Sequence, residues 1–273
     1  MSDVKQPSGP FNSLVVFGES TVEGGGWLSG PEERWADILW KLLENAQEEP
    51  VFYYNAGIGA SVISPISPGY EASVKPSAAE RLQEEVISQN PDLIVIAYGL
   101  NDMRAGMSVS AFKTEIKEII DRIQHSIQAL IVIVNVYHMS AFEYYPPFDK
   151  GSVGKTKEFN QMLEKLAVEK NCVYADVWSA EGQQDSVIHQ DTVHANKIGN
   201  MLIAHKVFEC IVHAAPGITR NVEKRNAHTE WTRNCLSQQT KGIEGSHGSF
   251  ETVLSDEENR DKSVDIRLWR RDQ

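Results

Sequence analysis

Ser20 closes the short segment Gly18-Glu19-Ser20, which follows the apolar run of residues 14–17 and precedes Gly24, Gly25 and Gly26. A serine hydroxyl is a weak nucleophile at neutral pH and needs a base within hydrogen-bond reach. His194 is the candidate base. Asp191, three residues earlier in Asp191-Thr192-Val193-His194, can fold its carboxylate onto the other ring nitrogen. That contact would fix the tautomer and stabilise the imidazolium formed on attack. The chain order Ser, Asp, His is compatible with these roles, which do not depend on sequence position. Attack on an ester carbonyl also creates an oxyanion, and losing one preorganised donor costs about 2.7–4 kcal/mol in barrier. Asn101, in Gly99-Leu100-Asn101-Asp102, offers a side-chain amide. Backbone N–H groups at Ser20 and at Gly59 or Ala60, in Asn55-Ala56-Gly57-Ile58-Gly59-Ala60, offer the others.

Each of these residues also has a plainer use. Ser20 alone suits a turn or a helix N-cap. Asp191 suits the positive end of a helix, and Asn101 suits a cap. His189 is a competing imidazole; the three-residue spacing from Asp191 favours His194.

The four segments need a scaffold that brings them to one edge. Residues 14–17 read as a first strand. Pro31-Glu32-Glu33 opens a helix through about residue 45, since proline suits the first turn and acidic residues suit the dipole. Strands follow at 51–55, 93–97, 129–134 and 172–177. Helices are expected at about 77–89, 110–125, 156–170 and from after His194 to about 213. Residues 93–97 are wholly apolar, as in a strand buried on both faces. Alternation of this kind predicts a three-layer α/β/α domain on a five-stranded parallel sheet. In such sheets ligands bind outside the carboxyl ends of the strands.

Composition sets the bounds. The chain has 273 residues, 41% hydrophobic and 23% charged, with a net charge of −12. The whole excess of acid lies in residues 1–213, with 16 Lys+Arg against 28 Asp+Glu; residues 214–273 hold 10 of each. An acidic body argues against nucleic acid or an anionic membrane surface as partner. No apolar run approaches the roughly 18 residues of a membrane span, and residues 1–10 lack the apolar core of a secretory signal. Cys172, Cys210 and Cys235 are few, odd in number and widely spaced. They suit free thiols in a reducing, cytoplasmic setting. No CxxC pair suggests a metal site. In residues 214–273 only 10 of 60 are Leu, Ile, Val or Phe, which predicts a domain over 1–215 and a polar, weakly ordered extension over 216–273. The alternation at 264–269 is compatible with a short strand.

These motifs, in this order, resemble the SGNH hydrolases, or GDSL esterases/lipases. The resemblance covers residues 13–213. It rests on Gly18-Glu19-Ser20, Gly99-Leu100-Asn101-Asp102, Asp191-Thr192-Val193-His194 and the continuation Ala195-Asn196-Lys197-Ile198-Gly199. It implies a flavodoxin-like fold and a serine esterase acting through an acyl-enzyme, with catalytic Ser20, Asp191 and His194. The oxyanion donors would be Ser20, Asn101 and Gly59 or Ala60, and neither metal nor organic cofactor is implied. Substrates of the family are acyl esters broadly, including acetylated carbohydrates, short-chain lipids and thioesters. Two departures stand out. Glu19 replaces the family's Asp, and the register of the oxyanion glycine lands on Ala60, one residue past Gly59. Two rivals use the same residues: an acyltransferase in which an alcohol intercepts the acyl-enzyme, and a silent binding module. A metal-dependent hydrolase is a remote third.

Other motifs dissolve on inspection. Gly151-Ser152-Val153-Gly154-Lys155-Thr156 lacks the first phosphate-loop glycine, because position 149 is Asp149, and reads as a helix start. Gly57-Ile58-Gly59 lacks a third glycine at Val62. No Gly-x-Ser-x-Gly elbow occurs. The aromatic stretch Tyr137, His138, Phe142, Tyr144, Tyr145 and Phe148 either rims an acyl or sugar pocket or packs on itself. Glu19, Tyr144, Tyr145 and Phe148 are the candidates for the pocket wall.

Overall fold

A computed structural model describes residues 7–220. Five parallel strands, β1 Ser13–Gly18, β2 Phe52–Gly57, β3 Leu93–Ala97, β4 Leu130–Val134 and β5 Val173–Ala175, form one sheet in the order β2-β1-β3-β4-β5. Their register runs Leu14 opposite Tyr53 and Leu93, then Leu93 opposite Leu130. Every residue of β3 and β4 is buried. Each such Leu, Ile or Val contributes about 1.5–3 kcal/mol by leaving water. The edge strand β2 exposes Phe52, as a strand with one uncovered side can.

Helices α1 Ser20–Glu23, α2 Trp35–Gln47, α3 Tyr70–Ser73, α4 Ala78–Leu82, α5 Leu100–Ala105, α6 Val109–Ser126, α7 Val153–Glu169, α8 Val177–Ala180 and α9 Lys197–Ala214 complete the domain. On one face α9 packs against α2 and α8; on the other α6 packs against α4 and α7. This is the expected three-layer α/β/α fold, with the flavodoxin-like strand order. Its reversal of direction lies between β1 and β3, where α/β sheets place their ligands. Ser20 follows β1 and Asn101 follows β3, one on each side of that crevice.

Local differences from the expected elements have local causes. Pro31–Glu33 is a separate 3₁₀ turn, and α2 starts at Trp35 because Arg34 is extended, with ψ 132. The α4 turn widens into a π-turn over Gln83–Ile87. Ser152 caps α7 by accepting the Lys155 N–H at 3.1 Å, so the glycine- and lysine-containing stretch there is a helix start. The compact unit runs through Thr219. Ile218 is buried and the Gly217 N–H donates to the Ser8 carbonyl at 2.8 Å. The alternating stretch at 264–269, and the extension beyond 220 generally, lie outside the described residues. Cys172 and Cys210 are free thiols. No helix among the described residues is long and apolar enough to cross a membrane.

Candidate active site

β1 delivers Ser20 to the sheet edge, and Ser20 is the first residue of α1. The turn is tight enough to demand glycine beside it. A Cβ on Gly57 would stand 2.1 Å from the Glu23 nitrogen, and one on Gly18 2.7 Å from the Ala97 carbonyl. At the first position of a helix the backbone N–H has no intrahelical acceptor, and that of Ser20 has no partner among the described residues. Buried Arg81 steadies the same edge, donating to the carbonyls of Gly18 at 3.2 Å and Ala56 at 3.1 Å.

Asp191-Thr192-Val193-His194 folds back on itself. Thr192 takes a left-handed φ of 69, and Asp191 Oδ1 accepts the N–H groups of Val193 at 3.0 Å and His194 at 2.9 Å. The other oxygen, Oδ2, lies 2.8 Å from His194 Nδ1. His194 Nε2 lies 2.8 Å from Ser20 Oγ. With Nδ1–H directed at a carboxylate, Nε2 is the acceptor and the Ser20 hydroxyl donates to it. Burial pushes the His194 pKa below its ordinary value, against the pull of Asp191. Burial would raise Asp191, but the two backbone N–H donors and His194 outweigh it and hold the carboxyl low. The pair therefore rests as neutral imidazole beside carboxylate. His189 Nδ1 also stands 3.2 Å from Asp191 Oδ2, but the Ser20 hydroxyl is bonded by His194. The indole of Trp27 lies flat on the His194 ring, centroids 3.7 Å apart and planes 7° from parallel.

Three donors remain open near Ser20. Asn101 Nδ2 gives one hydrogen to the Ser61 carbonyl at 3.0 Å and keeps a second. Its backbone is held by Glu19, whose carboxylate accepts the N–H groups of Leu100 at 3.0 Å and Asn101 at 3.2 Å. Glu19 is 2% exposed; burial, then the nearby Asp102, drives its pKa well up. Of the two candidate loop amides, that of Gly59 is taken: it donates to Glu23 Oε2 at 2.7 Å. That of Ala60 has no partner among the described residues. Ala60 holds a left-handed φ of 60, a conformation that strains a residue with a side chain.

Ser20, Ala60, Asn101, Asp191 and His194 line a single cavity of about 290 Å³, with Arg104, Tyr145, Phe148 and Val193. Of the four expected wall residues, Tyr145 and Phe148 are there. Glu19 is not: its carboxylate is spent beneath the cavity on α5. Tyr144 is 52% exposed and is not in the cavity wall. The aromatic stretch divides, Tyr137 and His138 being buried in the body. Sequence reasoning missed Arg104, Trp27 and Val193. Val193 sits between Asp191 and His194 and was available by position. Arg104 lies one helical turn beyond Asn101 on α5. A larger recess, about 570 Å³, lies on the α6 side. Its Lys113 and Lys117 pair with Glu169 and Asp121, and it contains no nucleophile–base pair. Among the described residues no cluster of His, Cys, Asp or Glu is arranged to hold a metal ion.

The profile of the GDSL-like lipase/acylhydrolase family matches residues 16–202. No curated protein matches. Solved structures do. An acetylxylan esterase, Axe2 of Geobacillus stearothermophilus, superposes with TM-score 0.56 at 17% identity, over 76% of this chain and 96% of that one. TesA gives 0.56 at 17%, over 73% and 98%. A GDSL-like lipase of Parabacteroides merdae gives 0.58 at 14%, over 76% and 96%. At these identities the likeness is one of fold.

Proposed function

The chain belongs to the GDSL-like lipase/acylhydrolase family, and on that premise we propose that it hydrolyses short-chain carboxylic esters through a Ser20 acyl-enzyme. The observation that carries this reading is the hydrogen-bonded line from Ser20 Oγ through His194 to Asp191, at 2.8 Å and 2.8 Å, opening on a cavity with free donors. Ser20 Oγ attacks the ester carbonyl carbon as its proton passes to His194 Nε2. The imidazolium is stabilised by Asp191. The oxyanion is received by the Ser20 and Ala60 N–H groups and the second Asn101 amide hydrogen. Collapse breaks the bond to the alkoxy oxygen, which leaves as the alcohol with the proton from His194. Water then repeats the sequence on the acyl-enzyme, releasing the acid and restoring Ser20.

The cavity size supports a small acyl group, since ligand pockets usually run from about 300 to 1,000 Å³. The Geobacillus neighbour is named for acetyl esters of xylan, and an acetyl group fits within this cavity with room for part of the alcohol. The test is active-site labelling with a fluorophosphonate together with p-nitrophenyl acetate hydrolysis. Wild type should react at one serine and hydrolyse the ester. Ser20→Ala should do neither, and an unreactive wild type or a reactive Ser20→Ala defeats the mechanism.

A further inference from the structure

Arg104 stands in the cavity wall with Ser20 and His194, yet nothing in the acyl-transfer steps uses it. It is 5% exposed. Among the described residues no carboxylate forms an ion pair with it: Glu19, which acts on it from a distance, accepts the Leu100 and Asn101 N–H groups, and Asp191 in the wall is engaged by His194 and two backbone N–H groups. Nη2 donates to the Tyr144 carbonyl at 3.2 Å, the guanidinium lies 5.9 Å from the Tyr145 ring centre, and buried Nε has no partner at all. A guanidinium carries five N–H donors in one plane. Here one of them reaches the Tyr144 carbonyl, Nε is buried without a partner, and the fork lines the cavity. Burying a cation without a directly paired carboxylate is costly, so an ion pair does not account for this residue. Burial indeed pushes its pKa down. Arg81, the other buried arginine, shows the contrast: it has a carboxylate, Glu85, and the Gly18 and Ala56 carbonyls.

The geometry points to Arg104 as the receiver of a carboxylate on the substrate, so that the preferred ester carries one negative charge within reach of the scissile bond. This rests on the ester-hydrolase reading of the same cavity. A planar fork fits a carboxylate bidentately, and the bound anion supplies the direct ion pair that no carboxylate of the described residues makes. Tyr145, Phe148 and Val193 would flank the short chain between the charge and the carbonyl. The anion can sit on the acyl side or on the alcohol side of the ester, and the two are separable by experiment.

Four esters make the test at pH 7. Methyl hydrogen succinate against dimethyl succinate places the charge on the acyl part. Acetoxyacetate against methyl acetoxyacetate places it on the alcohol part. In one pair the wild type should favour the anionic member by about tenfold or more in kcat/KM, the scale of a charge-assisted contact. In Arg104→Gln that preference should vanish, and Arg104→Lys should recover part of it. The ratio is taken within one preparation, so loss of folded protein cancels, and a merely structural arginine would not move it. A wild type that favours the neutral ester in both pairs overturns the proposal, as does an unchanged ratio in Arg104→Gln. If none of the four is hydrolysed and fluorophosphonate fails to label Ser20, the ester-hydrolase reading falls separately. Calorimetric titration of the same four compounds then decides: anion-selective binding abolished in Arg104→Gln supports the site, and equal binding of charged and neutral members rejects it.

Discussion

Glu19 Oε2 accepts the Asn101 N–H at 3.2 Å, while Oε1 of the same carboxylate accepts from Leu100 at 3.0 Å. The residue before the proposed nucleophile thus grips the start of the helix that carries a proposed oxyanion donor. The longer side chain of Glu, where the family has Asp, spans a gap between the β1 turn and α5. Glu19→Asp would draw the carboxylate back by one methylene and leave a buried N–H unmet, which costs about 1–3 kcal/mol. It should therefore lower Tm and reduce kcat by about tenfold as Asn101 drifts. Thermal unfolding and steady-state kinetics read both. Wild-type values for Glu19→Asp would show that the grip is irrelevant.

The stacked pair Trp27 and His194 gives a second expectation. Burial holds the His194 pKa below its usual value, so the acid limb of kcat/KM should lie below the ordinary histidine value of about 6.5. Activity should be constant above that limb and fall as His194 takes a proton. Trp27 covers one face of the ring. In Trp27→Ala water reaches that face, the desolvation weakens, and the limb should move up toward about 6.5. The lost stacking, worth about 0.5–1.5 kcal/mol, should also lower kcat/KM by about two- to tenfold. Trp27→Phe should restore most of both. A pH–rate profile unmoved by Trp27→Ala refutes the coupling.

The division between what was legible and what was not follows the range of the interactions. The all-apolar run of β3 declares a central strand from its composition. Ser20 and Asn101 follow β1 and β3 directly, and the Asp191–His194 turn leads into α9, so their convergence follows from the parallel order of the sheet and the helices that return to it. Glu19 was misplaced into the pocket wall because side-chain direction in a tight turn is set by the packing of α5, 81 residues away in the Leu100 bond. The choice between Gly59 and Ala60 turns on Glu23, 36 residues from Gly59. Arg104 reads locally as an ordinary charged residue on a helix; only the fold buries it. Trp27 lies in a glycine-rich loop, whose path no periodicity encodes.

Ala60 supplies a third expectation. An alanine at φ 60 pays the left-handed penalty of about 1–2 kcal/mol, which glycine escapes. Glycine also loses more chain entropy on folding, about 0.5–1 kcal/mol relative to alanine. The balance favours Ala60→Gly by about 0.5–1 kcal/mol, seen as a higher midpoint in denaturant unfolding with an unchanged m-value. A lower midpoint would mean that neighbouring side chains, and not the φ value, set the energy of this turn.

Glu181 carries the last expectation. It is 1% exposed; Oε2 accepts the His138 N–H at 2.9 Å, and Oε1 is buried without a partner. Burial pushes its pKa up to about 8, against the pull of that one N–H. In the unfolded chain it titrates near the ordinary value of about 4.3. Between those values the folded state holds a proton that the unfolded state has lost. Stability must then fall as pH rises across that window, by up to about 1.4 kcal/mol per pH unit from this group alone. Below the window both states are protonated and the group is silent. Glu181→Gln keeps an acceptor for the His138 N–H and removes the titration. It should raise Tm at pH 8 clearly more than at pH 5, flattening the decline between them. Parallel Tm–pH curves for the two proteins would show that Glu181 does not carry this dependence.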